Sequence, residues 1–133
     1  MPSNHRYTAE IRFTAADLDP SAVSRVLQLE PTRSVDRASS SRKRIPFWAY
    51  NGEGEAGFKA EWASLEEGLE FLVARLSPAR SSIVDLSKTI NGLWWCGHFQ
   101  SSFDGGPTLS PKLLADLAGF GLPLFIDNYF SND

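Results

Sequence analysis

Cysteine is nearly absent. Cys96 is the only one in 133 residues. A lone thiol forms no internal bridge, and it leaves a structural zinc site short of the four Cys or His ligands such a site needs. Histidine is nearly as scarce, with only His5 and His98. Neither sign of charge dominates: 13 Lys and Arg face 16 Asp and Glu, a formal net charge of −3. The chain therefore has no global field to hold nucleic acid or an anionic membrane. No stretch approaches the ~18 consecutive apolar residues of a membrane span. Residues 1–20 contain no apolar run of the signal-peptide kind. These absences lead us to expect a cytoplasmic protein, kept in a reducing compartment, with no metal and no cofactor.

What is present is ordinary for a globular protein: 42% apolar and 22% charged residues. A chain of this length can bury roughly 68% of its unfolded surface. A single domain over 1–133 is expected, able to fold without a staple. Tyr7, Ala9, Ile11 and Phe13 alternate with Arg6, Thr8, Glu10 and Arg12, the period-two pattern of a half-buried strand. Asp19-Pro20 reads as an N-cap followed by proline at the first helical position. Val23, Val26 and Leu27 form the stripe of a short helix that Pro31 closes. Residues 33–46 read as a mobile basic loop, with Arg33, Arg37, Arg42, Lys43 and Arg44 around Ser39, Ser40 and Ser41 and a short strand near Val35. Phe47–Tyr50 reads as a strand, Asn51-Gly52 as a turn, and Phe58–Trp62 as a returning strand.

Ser64 with Glu67 fits a capping box, and Leu65, Leu69, Leu72, Val73 and Leu76 follow at helical spacing. Ser77-Pro78 breaks or kinks this helix, and Ile83, Leu86 and Ile90 carry the pattern on. Asn91-Gly92 reads as a turn into a strand over Leu93–Phe99, and Asp104-Gly105-Gly106-Pro107 as a loop. Ser110-Pro111 starts another helix, with Leu113, Leu114 and Leu117 facing the core and Gly121 as its cap. Pro123–Tyr129 reads as the closing strand, with Leu124 and Ile126 inward. The order suits an α+β fold: a single mixed, largely antiparallel sheet of four to six strands with three helices on one face, ferredoxin-like or an elaboration of it. The opposite sheet face is then partly open.

Three segments resemble the bacterial domain-of-unknown-function family DUF4279: Leu27-Gln28-Leu29-Glu30-Pro31-Thr32-Arg33, Thr108-Leu109-Ser110-Pro111-Lys112-Leu113-Leu114, and Phe125-Ile126-Asp127-Asn128-Tyr129. With the element order they span nearly the whole chain, while the basic serine-rich loop does not match. The resemblance implies the fold, a bacterial setting and, beyond these, the neighbourhood of toxin-immunity loci. It implies no catalytic residues.

Several patterns invite a chemical reading. Gly52-Glu53-Gly54-Glu55-Ala56-Gly57 matches G-x-G-x-x-G, but a dinucleotide site needs a helix directly after the glycines, and two glutamates repel phosphate. A hairpin loop is the simpler account. Cys96 and His98 share one strand face. At about 3.4 Å rise per residue they stand about 7 Å apart, too far for direct proton transfer. A small buried thiol beside a sheet-surface imidazole is the simpler account here too. The basic loop lacks the interleaved aromatics of single-strand nucleic-acid binders, and an acidic protein partner suits it better. Trp94 and Trp95 are adjacent on a strand and point to opposite faces, so one is core and the other needs cover or a partner.

The first functional expectation is a non-enzymatic binding module, of an immunity type that binds and neutralises a partner. The alternative is a small-molecule sensor or carrier with an aromatic pocket between sheet and helices. The third is an enzyme whose acid/base pair is assembled from distant residues, with Glu10, Arg12, His98 and Asp127 on one sheet face. A protein partner is expected ahead of a small molecule, with neither membrane nor nucleic acid. The candidate binding residues are Arg12, Arg33, Trp48, Trp94, His98 and Asp127.

Overall fold

The computed structural model describes residues 4–39 and 45–131. Most of the expected basic cluster, Ser40, Ser41, Arg42, Lys43 and Arg44, lies outside them. The elements are β1 (His5–Thr14), α1 (Pro20–Leu27), β2 (Arg33–Val35), a 3-10 turn (Arg37–Ser39), β3 (Phe47–Tyr50), α2 (Leu65–Leu76), a 3-10 turn (Ser77–Ala79), α3 (Arg80–Leu86), β4 (Asn91–Gln100), α4 (Pro111–Ala118) and β5 (Leu124–Phe130). One five-stranded sheet has the order β2-β3-β1-β4-β5. β4 and β5 run parallel, and the other neighbours are antiparallel.

β1 is the centre because its alternation supplies one continuous apolar row. Tyr7, Ala9, Ile11 and Phe13 are all buried. Register then sorts every other strand. Ile11 stands opposite both Tyr50 and Trp94, Phe13 opposite Trp48, and Ala9 opposite Cys96. Trp48, Tyr50, Trp94 and Cys96 therefore join the same layer and are buried there. Three helical segments cover it: α1, the α2–α3 unit broken at Ser77-Pro78, and α4. They contribute Val23 and Leu27, then Leu65, Leu69, Leu72, Leu76 and Ile83, then Leu113 and Leu117. Phe120 meets Trp94 edge-on at 5.2 Å between ring centroids.

The helix starts are local chemistry. Asp19 accepts from Ser21 N, Ser64 from Glu67 N and Ser110 from Leu113 N, each satisfying an otherwise unpaired helix donor. α1 stops at Leu27, before Pro31 is reached, because Gln28 takes a left-handed conformation with φ 56°. Gly92 lies inside β4 rather than in a turn. A Cβ there would meet the Phe13 ring at 2.7 Å and Leu122 at 2.8 Å, so only glycine admits this approach.

Three local expectations change. Phe58–Trp62 forms no strand: only Trp62 bridges, pairing with Tyr7 on the edge of β1 that β3 uses further along. The glycine-rich stretch is therefore an excursion from one strand line, and not a hairpin loop. Val26 and Leu114 are about half exposed, at 49% and 50%, although their spacing points inward. Each helix is only eight residues long and buries a narrower stripe than its apolar residues could cover. Among the described residues, no helix is long and apolar enough to cross a membrane.

Candidate functional site

The sheet face turned away from the helices carries Arg12 and Glu10 from β1, Trp95 and Phe99 from β4, Phe125, Asp127 and Tyr129 from β5, Phe47 from β3 and Arg33 from β2. Pairing places Glu10, Trp95 and Phe125 in one cross-strand row, and Arg6, Phe99 and Tyr129 in another. Between the rows lie Thr8, Gly97 and Asp127.

Glu10 is the electrostatic centre. It is 7% exposed, with Arg12 Nε donating to Oε2 at 2.7 Å and Arg33 donating to its two oxygens at 2.9 and 3.1 Å. Two guanidinium groups on one carboxylate leave this cluster one positive charge in excess. Both also lie against rings. Arg12 sits 4.7 Å from the Trp95 ring centroid, and Arg33 sits 5.6 Å from that of Phe47. Pinned between a carboxylate and a ring, the arginines lose part of their conformational freedom before any partner arrives.

The β5 side is aromatic. Phe99 and Tyr129 stack at 4.9 Å, tilted by 12°. The Tyr129 hydroxyl donates to Asp127 Oδ2 at 2.6 Å, and this hydrogen bond raises the phenol above its ordinary value. Phe125 and Tyr129 remain 47% and 41% exposed. The β2–β3 side of the same face is closed, with Val35 and Ala49 both buried. The outward face is therefore open over its β4–β5 half.

Arg12, Arg33 and Asp127 stand on this face. Trp48, Trp94 and His98 do not: they sit on the helix-covered side, where 0%, 0% and 4% of their surfaces are exposed. The adjacent tryptophans do point to opposite faces, but Trp95 is the outward one. Its position follows from pairing with β1, a contact that strand propensity does not encode. Trp48 instead donates from its indole nitrogen to Ser24 Oγ at 3.0 Å.

His98 is an interior imidazole and not a surface one. It stacks on Tyr7 at 4.8 Å, contacts His5 Nδ1 through Nε2 at 2.8 Å, and meets Asn128 Oδ1 through Nδ1 at 2.8 Å. Glu10, Arg12, His98 and Asp127 therefore do not share a face. Cys96 is buried, and burial together with the charge of Glu10 pushes its thiol up to about 12. A thiol so protonated at neutral pH is a poor nucleophile. No group of three or more His, Cys, Asp or Glu among the described residues is placed to hold a metal ion.

Between sheet and helices, the rings of Phe13, Trp48, Trp94 and Phe120 pack together as buried core. An open cleft of about 310 Å³ lies at the edge of α1 and α3, lined by Leu18, Val23, Val26, Leu86 and Ile90 with Asp17 and Asp19. Its apolar lining is aliphatic.

The sequence does not single out the outward-facing, half-buried Trp95 and Phe99 or the exposed Phe125 and Tyr129. Phe125 and Tyr129 bracket Asp127 at alternate positions, a period-two signal that was available once Asp127 was placed outward. No curated protein and no solved structure matches the chain. A family model does match, over residues 5–131, from the first residue of β1 to just past the last of β5. The chain belongs to the family described as Domain of unknown function (DUF4279).

Proposed function

We propose that this domain is a non-enzymatic binding module that captures a protein partner on the β4–β5 half of its outward sheet face. The observation that carries this reading is Arg12 held over Trp95 beside the exposed rings of Phe125 and Tyr129. Tryptophan, tyrosine and arginine dominate the energetics of protein interfaces. Here they are assembled on a rigid strand platform, with the arginine already oriented by Glu10. The mixture of rings, one cationic cluster and one carboxylate suits a protein surface better than a nucleic acid, which would meet Asp127 and a net negative chain. The non-enzymatic part of the proposal is supported by the protonated, buried Cys96 and by an interior His98 already engaged on both ring nitrogens. Neutralisation of a toxic partner is the finer form of the proposal, and it rests on the family resemblance alone.

The test is affinity capture with the tagged wild-type chain beside Trp95→Ala and a Phe125→Ser/Tyr129→Ser double variant, each shown by circular dichroism to be folded. A single near-equimolar protein, lost from both variants, is the expected result. A partner retained by both variants, or no partner at all, contradicts the proposal. The aliphatic cleft supports a second reading as a small-molecule carrier. Thermal-shift screening against apolar metabolites tests it, and a Val26→Asp variant that abolishes any shift would locate the ligand there.

A further inference from the structure

The two edges of the sheet are finished differently. β2 ends one side after three residues, Arg33–Val35, with an exposed arginine and a 3-10 turn close behind. β5 ends the other side with seven residues, Leu124–Phe130, among which Asp127 is the sole charge. Proteins usually protect a free edge with lysine, proline, a bulge or extreme shortness. β5 has no lysine, proline or glycine, and its register against β4 runs unbroken from Trp94↔Leu124 to Gln100↔Phe130.

Two hydrogen bonds fix which main-chain groups face outward. Trp94 N donates to Pro123 O at 2.9 Å, and Ser131 N donates to Gln100 O at 2.9 Å. Odd-numbered residues thus turn their main chain toward β4. Strand alternation then turns the N–H and C=O groups of Leu124, Ile126, Asn128 and Phe130 to the free edge. No main-chain hydrogen bond engages them among the described residues. The flanking side chains of Phe125, Tyr129 and Phe130 are 47%, 41% and 46% exposed.

We infer that the free edge of β5 accepts an extended segment of the partner protein as a sixth strand, with an apolar, a basic and an apolar side chain opposite Phe125, Asp127 and Tyr129. This rests on the reading of the outward face as a docking surface and specifies the conformation and chemistry of what docks there. Main-chain pairing would supply affinity, and alternate side chains would supply selectivity. A second copy of this chain is a poorer occupant. Antiparallel self-pairing that sets Phe125 against Tyr129 places Asp127 opposite its own copy, like charge against like charge.

The test uses the full chain and a fluorescein-labelled peptide, Thr-Val-Thr-Arg-Thr-Val-Thr, read by anisotropy. Three analogues accompany it: one with glutamate at the centre, one N-methylated on the threonine amides, and one N-methylated on the valine and arginine amides. The expected result is saturable binding that falls about fivefold or more with the central glutamate. Methylating one alternate set should lower it by more than about tenfold, with little effect from the other set, because only one set faces β5 in either strand direction. Asp127→Arg should reverse the preference between arginine and glutamate. Absence of saturable binding overturns the inference, as does self-association of the chain through β5. Equal binding of both methylated peptides, weakened by Trp95→Ala, overturns strand addition while leaving the face as a docking surface. Loss of the face itself is read separately, by partner capture that survives Trp95→Ala.

Discussion

Trp94 and Trp95 are neighbours on one strand, and the two sheet faces they belong to are built on different principles. The covered face is a ring-and-leucine layer in which Trp94 is fully buried against Phe120. Its polar side chains are satisfied, as His98 is, or held in their uncharged form, as Cys96 is, except that the indole nitrogen of Trp94 is buried with no hydrogen-bond partner among the described residues. The outward face keeps its rings near solvent and holds its charges in a cluster on Glu10. The covered face is complete within one chain. The outward face is closed at Val35 and Ala49 and left unfinished over β4 and β5. The proposed docking role rests on this difference: large residues are buried on one side of the sheet and left near solvent on the other.

The largest expected contrast is between the tryptophans themselves. Trp94→Ala opens a cavity in the core and should cost about 3–5 kcal/mol in urea unfolding. Trp95→Ala should cost under about 1 kcal/mol while removing partner capture. Equal losses would erase the distinction between the faces.

A second contrast is set by pH. The Cys96 thiol is raised from an ordinary 9.0 to about 12 in the folded protein. A raised value means that stability is intact below pH 9 and falls as pH rises toward 12, because the unfolded thiol ionises first. At pH 10.5 that one group should remove about 2 kcal/mol. The Cys96→Ala protein should therefore lose that much less stability than wild type between pH 8 and 10.5. Identical pH profiles would mean that the thiol is not held neutral.

On the outward face, Glu10→Ala removes the acceptor shared by two arginines. The arginines remain partly solvated, at 27% and 54% side-chain exposure, so the cost in stability should be about 1 kcal/mol. Partner capture should weaken more than stability does, because Arg12 loses its orientation over Trp95. The smallest effect is spectroscopic. Asp127→Asn should lower the midpoint of one tyrosine ionisation in ultraviolet titration, since the Asp127 carboxylate raises the Tyr129 phenol.

Elements governed by local chemistry were legible in the sequence. The alternation of β1, the Ser64 and Ser110 caps and the leucine spacing of α2 each gave the observed element. The short β2 at Val35 was legible as well. The site was only half legible, because facing is a property of register. Arg12 and Asp127 stand on the outward face, and Arg33 joins them from strand β2 rather than from the mobile loop expected over 33–46, while the outward tryptophan is Trp95 and not Trp94. Reading Asn91-Gly92 as a turn hid the first residues of β4 and left the strand without an anchor for its parity. Pairing of Ile11 with Trp94 sets that parity across more than eighty positions of chain. His98 was misplaced for the same reason, since its neighbours His5 and Asn128 come from other strands.

Amide hydrogen exchange of the chain alone and with its captured partner tests the central claim most directly. The account predicts new protection in residues 93–99 and 124–130, strongest at the outward-turned amides of Leu124, Ile126, Asn128 and Phe130, with the helices unchanged. Protection confined to α1 and α3 around the aliphatic cleft, with β4 and β5 exchanging as before, would contradict it.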